Sequence, residues 1–195
     1  MSTFLRFALA LHGFALAIWL AALVAAGLSA ATLFPAMKSL EPSLPSFALY
    51  EGEHWRIAAG IPANNIFGIV DRIQFVCGGV ALMTLGFWMS TLARLRQEGQ
   101  SIAVIPALLR TVAISGAMAG LCYQLFILGP RMSIALKKWI AAASAGDTAT
   151  AETFRAAFDT DHPSASRTLM FTAACVIFGL VVHLWNPPAA RERPD

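Results

Sequence analysis

The residues of this chain able to do chemistry fall into three sets. Asp71, Arg131, His162 and Arg167 combine a carboxylate, two guanidinium groups and an imidazole. Such a set can bind a polar headgroup or another anion. A plainer reading of the same residues makes Asp71 and Arg131 an ion pair at the membrane edge that sets helix register. His12 and His183 offer neutral imidazole nitrogens, enough for the two axial bonds of a b-type haem or for simple hydrogen bonds. Cys77, Cys122 and Cys175, with Met170, offer soft sulfur to copper as Cu(I), although buried cysteine also serves as a small hydrophobe. No two cysteines stand in a CxxC spacing, and no GxSxG, HExxH or P-loop occurs. The chain therefore reads as a binding protein rather than an enzyme, with no cofactor required and haem b or copper as the alternative.

The elements that must position these residues follow from composition. The chain has 195 residues, of which 57% are apolar and 13% charged, with a mean hydropathy of +0.65. A soluble domain carries roughly 25% charge, so this composition excludes a disordered chain and argues against a water-soluble globule. The net charge of +3, without a run of Lys or Arg, excludes nucleic acid as a partner. Membrane lipids, a second copy of the chain or another membrane protein remain. Three cysteines, all within apolar runs, do not make a disulfide framework.

Residues 7–34, 73–93, 111–129 and 168–185 contain no Asp, Glu, Lys or Arg. Each run is long enough to cross about 30 Å of hydrocarbon, where a helix satisfies its own backbone. The first is too long for a cleavable signal. The expected fold is a single all-α integral membrane domain over 1–195, a bundle of four transmembrane helices near 7–36, 64–95, 103–129 and 167–186. Short interfacial helices over 131–158 and a disordered tail at 187–195 complete it. Ala22, Ala26 and Ala30, and the pair Gly116 and Gly120, have the small-residue spacing that lets helices approach closely. Gln74, Tyr123 and Gln124 are expected to form interhelical hydrogen bonds.

The third helix is predicted to continue over 102–145 with a kink at Gly129-Pro130. Beyond the kink, Met132, Leu136, Trp139, Ile140 and Ala143 make an apolar stripe, and Gly146 can cap its end. Asp147 or Thr148 can then start a short helix with Phe154 and Phe158 on one face, followed by a loop carrying His162. The connection over 38–62 contains Pro42, Pro45 and Pro62 and reads as mostly loop. Arg6, Arg94, Arg96, Arg110, Arg191 and Arg193 are dense on the side of both termini, which favours cytoplasmic termini, in a bacterial inner membrane.

Several short motifs carry a resemblance: His12 and Trp19, Leu33-Phe34-Pro35, Ala59-Gly60, Ile66-Phe67 into Asp71, and Gly129-Pro130-Arg131-Met132. With Phe158, His162, Ser164 and Ser166, where a Phe-x-x-His-x-x-Ser pattern is shifted by a residue, these resemble the bacterial relatives of human transmembrane protein 205. The resemblance covers most of the chain. It implies a four-helix membrane protein with no assigned reaction and, for the human member, an association with tolerance of platinum drugs. It carries no catalytic residue to this chain.

Overall fold

A computed structural model describes residues 3–99 and 104–185. Among them every regular element is helical: α1 (Thr3–Leu40), α2 (His54–Gln97), α3 (Val104–Tyr123), α4 (Gly129–Ser144) and α5 (Thr148–Trp185), with a 3-10 turn at Pro45–Phe47 and a π segment at Gln124–Leu128. Four helical stretches are long and apolar enough to cross a membrane: Thr3–Leu40, His54–Gln97, Val104–Ser144 and Thr148–Trp185. The shortest of them, at 38 residues and about 1.5 Å rise per residue, well exceeds the hydrocarbon thickness. The tail from 187 onward lies outside the described residues.

Three boundaries differ from those expected. The first connection is shorter, because α1 continues to Leu40 and α2 already begins at His54, eight residues before Pro62. The third helix does continue to Ser144, but its irregularity is a π segment placed just ahead of Gly129-Pro130. There the Gly129 N–H donates to the Gln124 carbonyl, one residue further back than in an α-helix, which accommodates the proline ring and its missing donor. No loop separates 158 from the last span: α5 runs unbroken through His162 and Pro163. A single proline costs a helix one backbone bond and a clash, and a long helix bends around it.

Contacts divide the chain into two units, and each long helical stretch contributes to both. The first unit comprises 3–22, 73–99, 104–119 and 171–185 among the described residues. Its core is built on Leu16, Trp19, Ile114 and Val176, all fully buried. Ala81 and Ala117 are fully buried as well, the small side chains that let backbones approach. Gly116 serves the same purpose, since a Cβ there would lie 3.0 Å from the Cys175 Sγ.

The second unit comprises 23–72 and 120–170. Tyr50, Ile57, Leu136, Trp139, Ala143 and Ala151 form its buried cluster, with Leu44, Phe47, Ile140, Phe154 and Phe158 packed against it. The stripe expected on α4 is thus the face that is buried. Gly146, at φ +75°, ends α4, and Asp147 accepts the Thr150 N–H at 3.0 Å to cap α5.

Candidate functional site

In the second unit lie Asp71, Arg131, His162 and Arg167. Asp71 is partly buried on α2, whereas Arg131, His162 and Arg167 are exposed. The Arg131 guanidinium donates to Asp161 Oδ1 at 2.9 Å, a partner that the sequence analysis did not single out. The Arg131 side chain remains 61% exposed in that pair, leaving most of its donors available to a ligand. His162 rests against the Phe158 ring, with centroids 5.9 Å apart.

Around the buried cluster of this unit the polar groups are tied together. The Tyr50 hydroxyl donates to Glu152 Oε1 at 2.8 Å and accepts the Trp139 indole N–H at 3.3 Å. Burial, then the Glu152 carboxylate, hold the Tyr50 phenol above its ordinary pKa. Arg155 joins Glu152 and Asp159, and Arg56 joins Glu53 and Asp159. Hydrogen bonding to Arg56 holds the Glu53 carboxyl below its ordinary range. His54 clamps the connection before α2: its Nδ1 accepts the Leu44 N–H at 3.1 Å and its Nε2–H donates to the Tyr50 carbonyl at 2.9 Å. An open groove of about 350 Å³ between α1 and α2 is lined by Ser29, Thr32, Leu33, Ala36, Pro62 and Ile66. The Thr32 hydroxyl turns back onto the Leu28 and Ser29 carbonyls, which leaves the groove wall largely apolar.

In the first unit α1 and α5 bring His12 and His183 together, with ring centroids 5.3 Å apart and planes tilted by 54°. His12 is 4% exposed, and its Nδ1 lies 2.8 Å from the Thr84 hydroxyl. Thr84 already donates its proton to the Val80 and Ala81 carbonyls. The Thr84 oxygen therefore accepts from His12, whose Nε2 carries the lone pair. That Nε2 and the His183 Nδ1 are both buried with no protein hydrogen-bond partner.

Arg110, one of the basic residues counted on the side of both termini, lies in the core of this unit. It is 1% exposed and donates to the Val182 and His183 carbonyls, each at 3.3 Å, while its guanidinium lies 4.7 Å from the Trp88 ring. The signal was present in the pattern: Ala107, Arg110, Ile114, Ala117 and Leu121 recur at helical spacing and are all buried.

Of the polar residues expected to bridge helices, Gln74 does so, accepting the Trp19 indole N–H at 3.1 Å. Tyr123 is 41% exposed, and the buried Gln124 Oε1 has no hydrogen-bond partner. Cys77 is buried, Cys175 partly buried and Cys122 exposed, and all three are free thiols. Among the described residues no group of three or more His, Cys, Asp or Glu side chains converges to hold a metal ion. No family model, curated protein or solved structure matches the chain.

Proposed function

We propose that this chain is a non-enzymatic integral membrane protein, a four-helix transmembrane bundle of the transmembrane protein 205-like kind that binds anionic lipid headgroups. The residues that carry this are Asp71, Arg131, His162 and Arg167. The observation behind the reading is Arg131, which is paired with Asp161 yet 61% exposed. Exposed Arg72, Lys137 and Lys138 belong to the same unit. Phe126, Ile134 and Met170, 70%, 56% and 64% exposed, supply that unit with apolar surface suited to acyl chains. The membrane is taken as the bacterial inner membrane, with both termini cytoplasmic.

Each basic residue at an anionic membrane surface contributes about 1 kcal/mol, roughly fivefold in affinity. The full-length protein, exchanged from detergent into nanodiscs of mixed phosphatidylcholine and phosphatidylglycerol, should enrich phosphatidylglycerol around itself. Arg131→Gln with Arg167→Gln should abolish most of that enrichment, and Arg96→Gln should leave it intact. Equal enrichment in all three proteins would refute the headgroup site.

A further inference from the structure

We propose that the groove between α1 and α2 in the second unit holds one acyl chain of an anionic phospholipid, whose phosphate sits on Lys38 beside Trp55. The proposal rests on the membrane insertion argued above but not on Arg131, His162 or Arg167. Ser29, Thr32, Leu33 and Ala36 recur at i, i+3, i+4 and i+7 and so form one wall on a single face of α1. Pro62 and Ile66 form the facing wall on α2, and Trp55 lies two turns before Pro62 on the same face. The chain approaches the connection between the two helices along α1 and leaves it along α2. The groove therefore has a defined upper end, where Ala36 and Pro62 lead on to Lys38 and Trp55. There the Lys38 ammonium lies 5.9 Å from the centroid of the Trp55 ring, and the Arg56 guanidinium 5.1 Å from the same ring.

The wall selects a hydrocarbon chain. The Thr32 hydroxyl is occupied by the Leu28 and Ser29 carbonyls, so Leu33, Ala36, Pro62 and Ile66 present carbon to the groove. From Ser29 to Ala36 the wall is about 10 Å long at about 1.5 Å per residue. A helix of a second copy is about 10–12 Å across and would meet only two turns of it, whereas one alkyl chain lies along it. The charges select the headgroup. Residues 7–34 carry no Asp, Glu, Lys or Arg, and Lys38 is the first charge after them. A lysine and a tryptophan at the end of an apolar run suit the level of the headgroups. Arg56 is already paired with Glu53 and Asp159. Lys38 is exposed, and no carboxylate among the described residues forms an ion pair with it. Its ammonium is the charge available to a phosphate oxygen.

The test uses the full-length protein in phosphatidylcholine nanodiscs with a trace of phosphatidylglycerol that carries a photoreactive diazirine in the upper part of one acyl chain. After irradiation, peptide mapping should place label on 29–36 and 62–66 well above the level at other exposed apolar residues such as Phe75 and Met83. The same diazirine chain on phosphatidylcholine should label the groove weakly. Lys38→Gln should reduce groove labelling by the phosphatidylglycerol probe about fivefold, the contribution of one basic residue at an anionic surface, and Lys38→Arg should preserve it. Ala36→Phe, which places a ring in the groove, should bring its labelling down to the level at Phe75. The double variant Arg131→Gln with Arg167→Gln should label the groove as the parent does, which separates this site from the headgroup residues. Uniform labelling of exposed apolar residues in the parent, a measurement that needs no variant to fold, would overturn the proposal. Equal groove labelling by the two probes, or unchanged labelling in Ala36→Phe, would do the same.

Discussion

Two single residues decide more than their neighbours do. Arg110 donates to the Val182 and His183 carbonyls of α5 from the core of its unit, and Arg110→Met would remove both bonds. A loss of about 1–3 kcal/mol is expected, against less than about 0.5 kcal/mol for the exposed Arg96→Met, measured as thermal unfolding in the same detergent. Tyr50 joins α5 and α4 through Glu152 and Trp139. Tyr50→Phe removes both bonds and should cost about 1–2 kcal/mol. Because the folded-state pKa of Tyr50 is raised above its ordinary value of 10.0, the neutral phenol is the form the fold prefers. Its contribution is complete below pH 10 and is lost as pH rises through the folded value. The parent should therefore lose stability at alkaline pH more steeply than Tyr50→Phe, and parallel pH profiles for the two would refute that assignment.

At the scale of elements, the informative features are where helices fail to be ideal. The π segment ahead of Pro130 presses the Gln124 carbonyl against Gly129, and an ideal Cβ there would lie 2.9 Å from that oxygen. The contact is with backbone, which cannot swing aside, so Gly129→Ala should destabilise by about 1–3 kcal/mol. Gly68→Ala, at an open position in α2, should be neutral or slightly stabilising through helix propensity. The continuity of α5 has its own test. Amides on both sides of Pro163 should show slow hydrogen exchange from about 155 onward, and rapid exchange across 159–167 would mean that the expected loop exists after all.

For the whole molecule, the exposed apolar surface bears on the proposed insertion into a membrane. Large side chains such as Phe7, Phe14, Phe75 and Met83 are 60–69% exposed, a distribution that water would penalise and hydrocarbon would not. Trp185 is 81% exposed at the end of α5, while Trp19 is fully buried. In single-tryptophan variants reconstituted into brominated lipid, Trp185 should be quenched strongly and Trp19 weakly. Strong quenching of Trp185 by an aqueous agent, with none by brominated lipid, would contradict insertion.

Much of this architecture is local and was legible in the chain. The charge-free runs, the buried stripe of α4, the Gly146 stop and the Asp147 cap depend on residues within a few turns of one another, where periodicity and capping act. The approach of His12 to His183 depends instead on the rotation and rise of two separate helices, which no local pattern encodes. For the same reason Asp161 as the partner of Arg131, and the Val182 and His183 carbonyls as the partners of Arg110, emerge only from packing. A charge ending an apolar run reads as a surface residue in one dimension. Whether it faces water or the core is settled by helical phase against the neighbouring helices, and in Arg110 tertiary structure placed the charge inside, where the Val182 and His183 carbonyls accept its guanidinium.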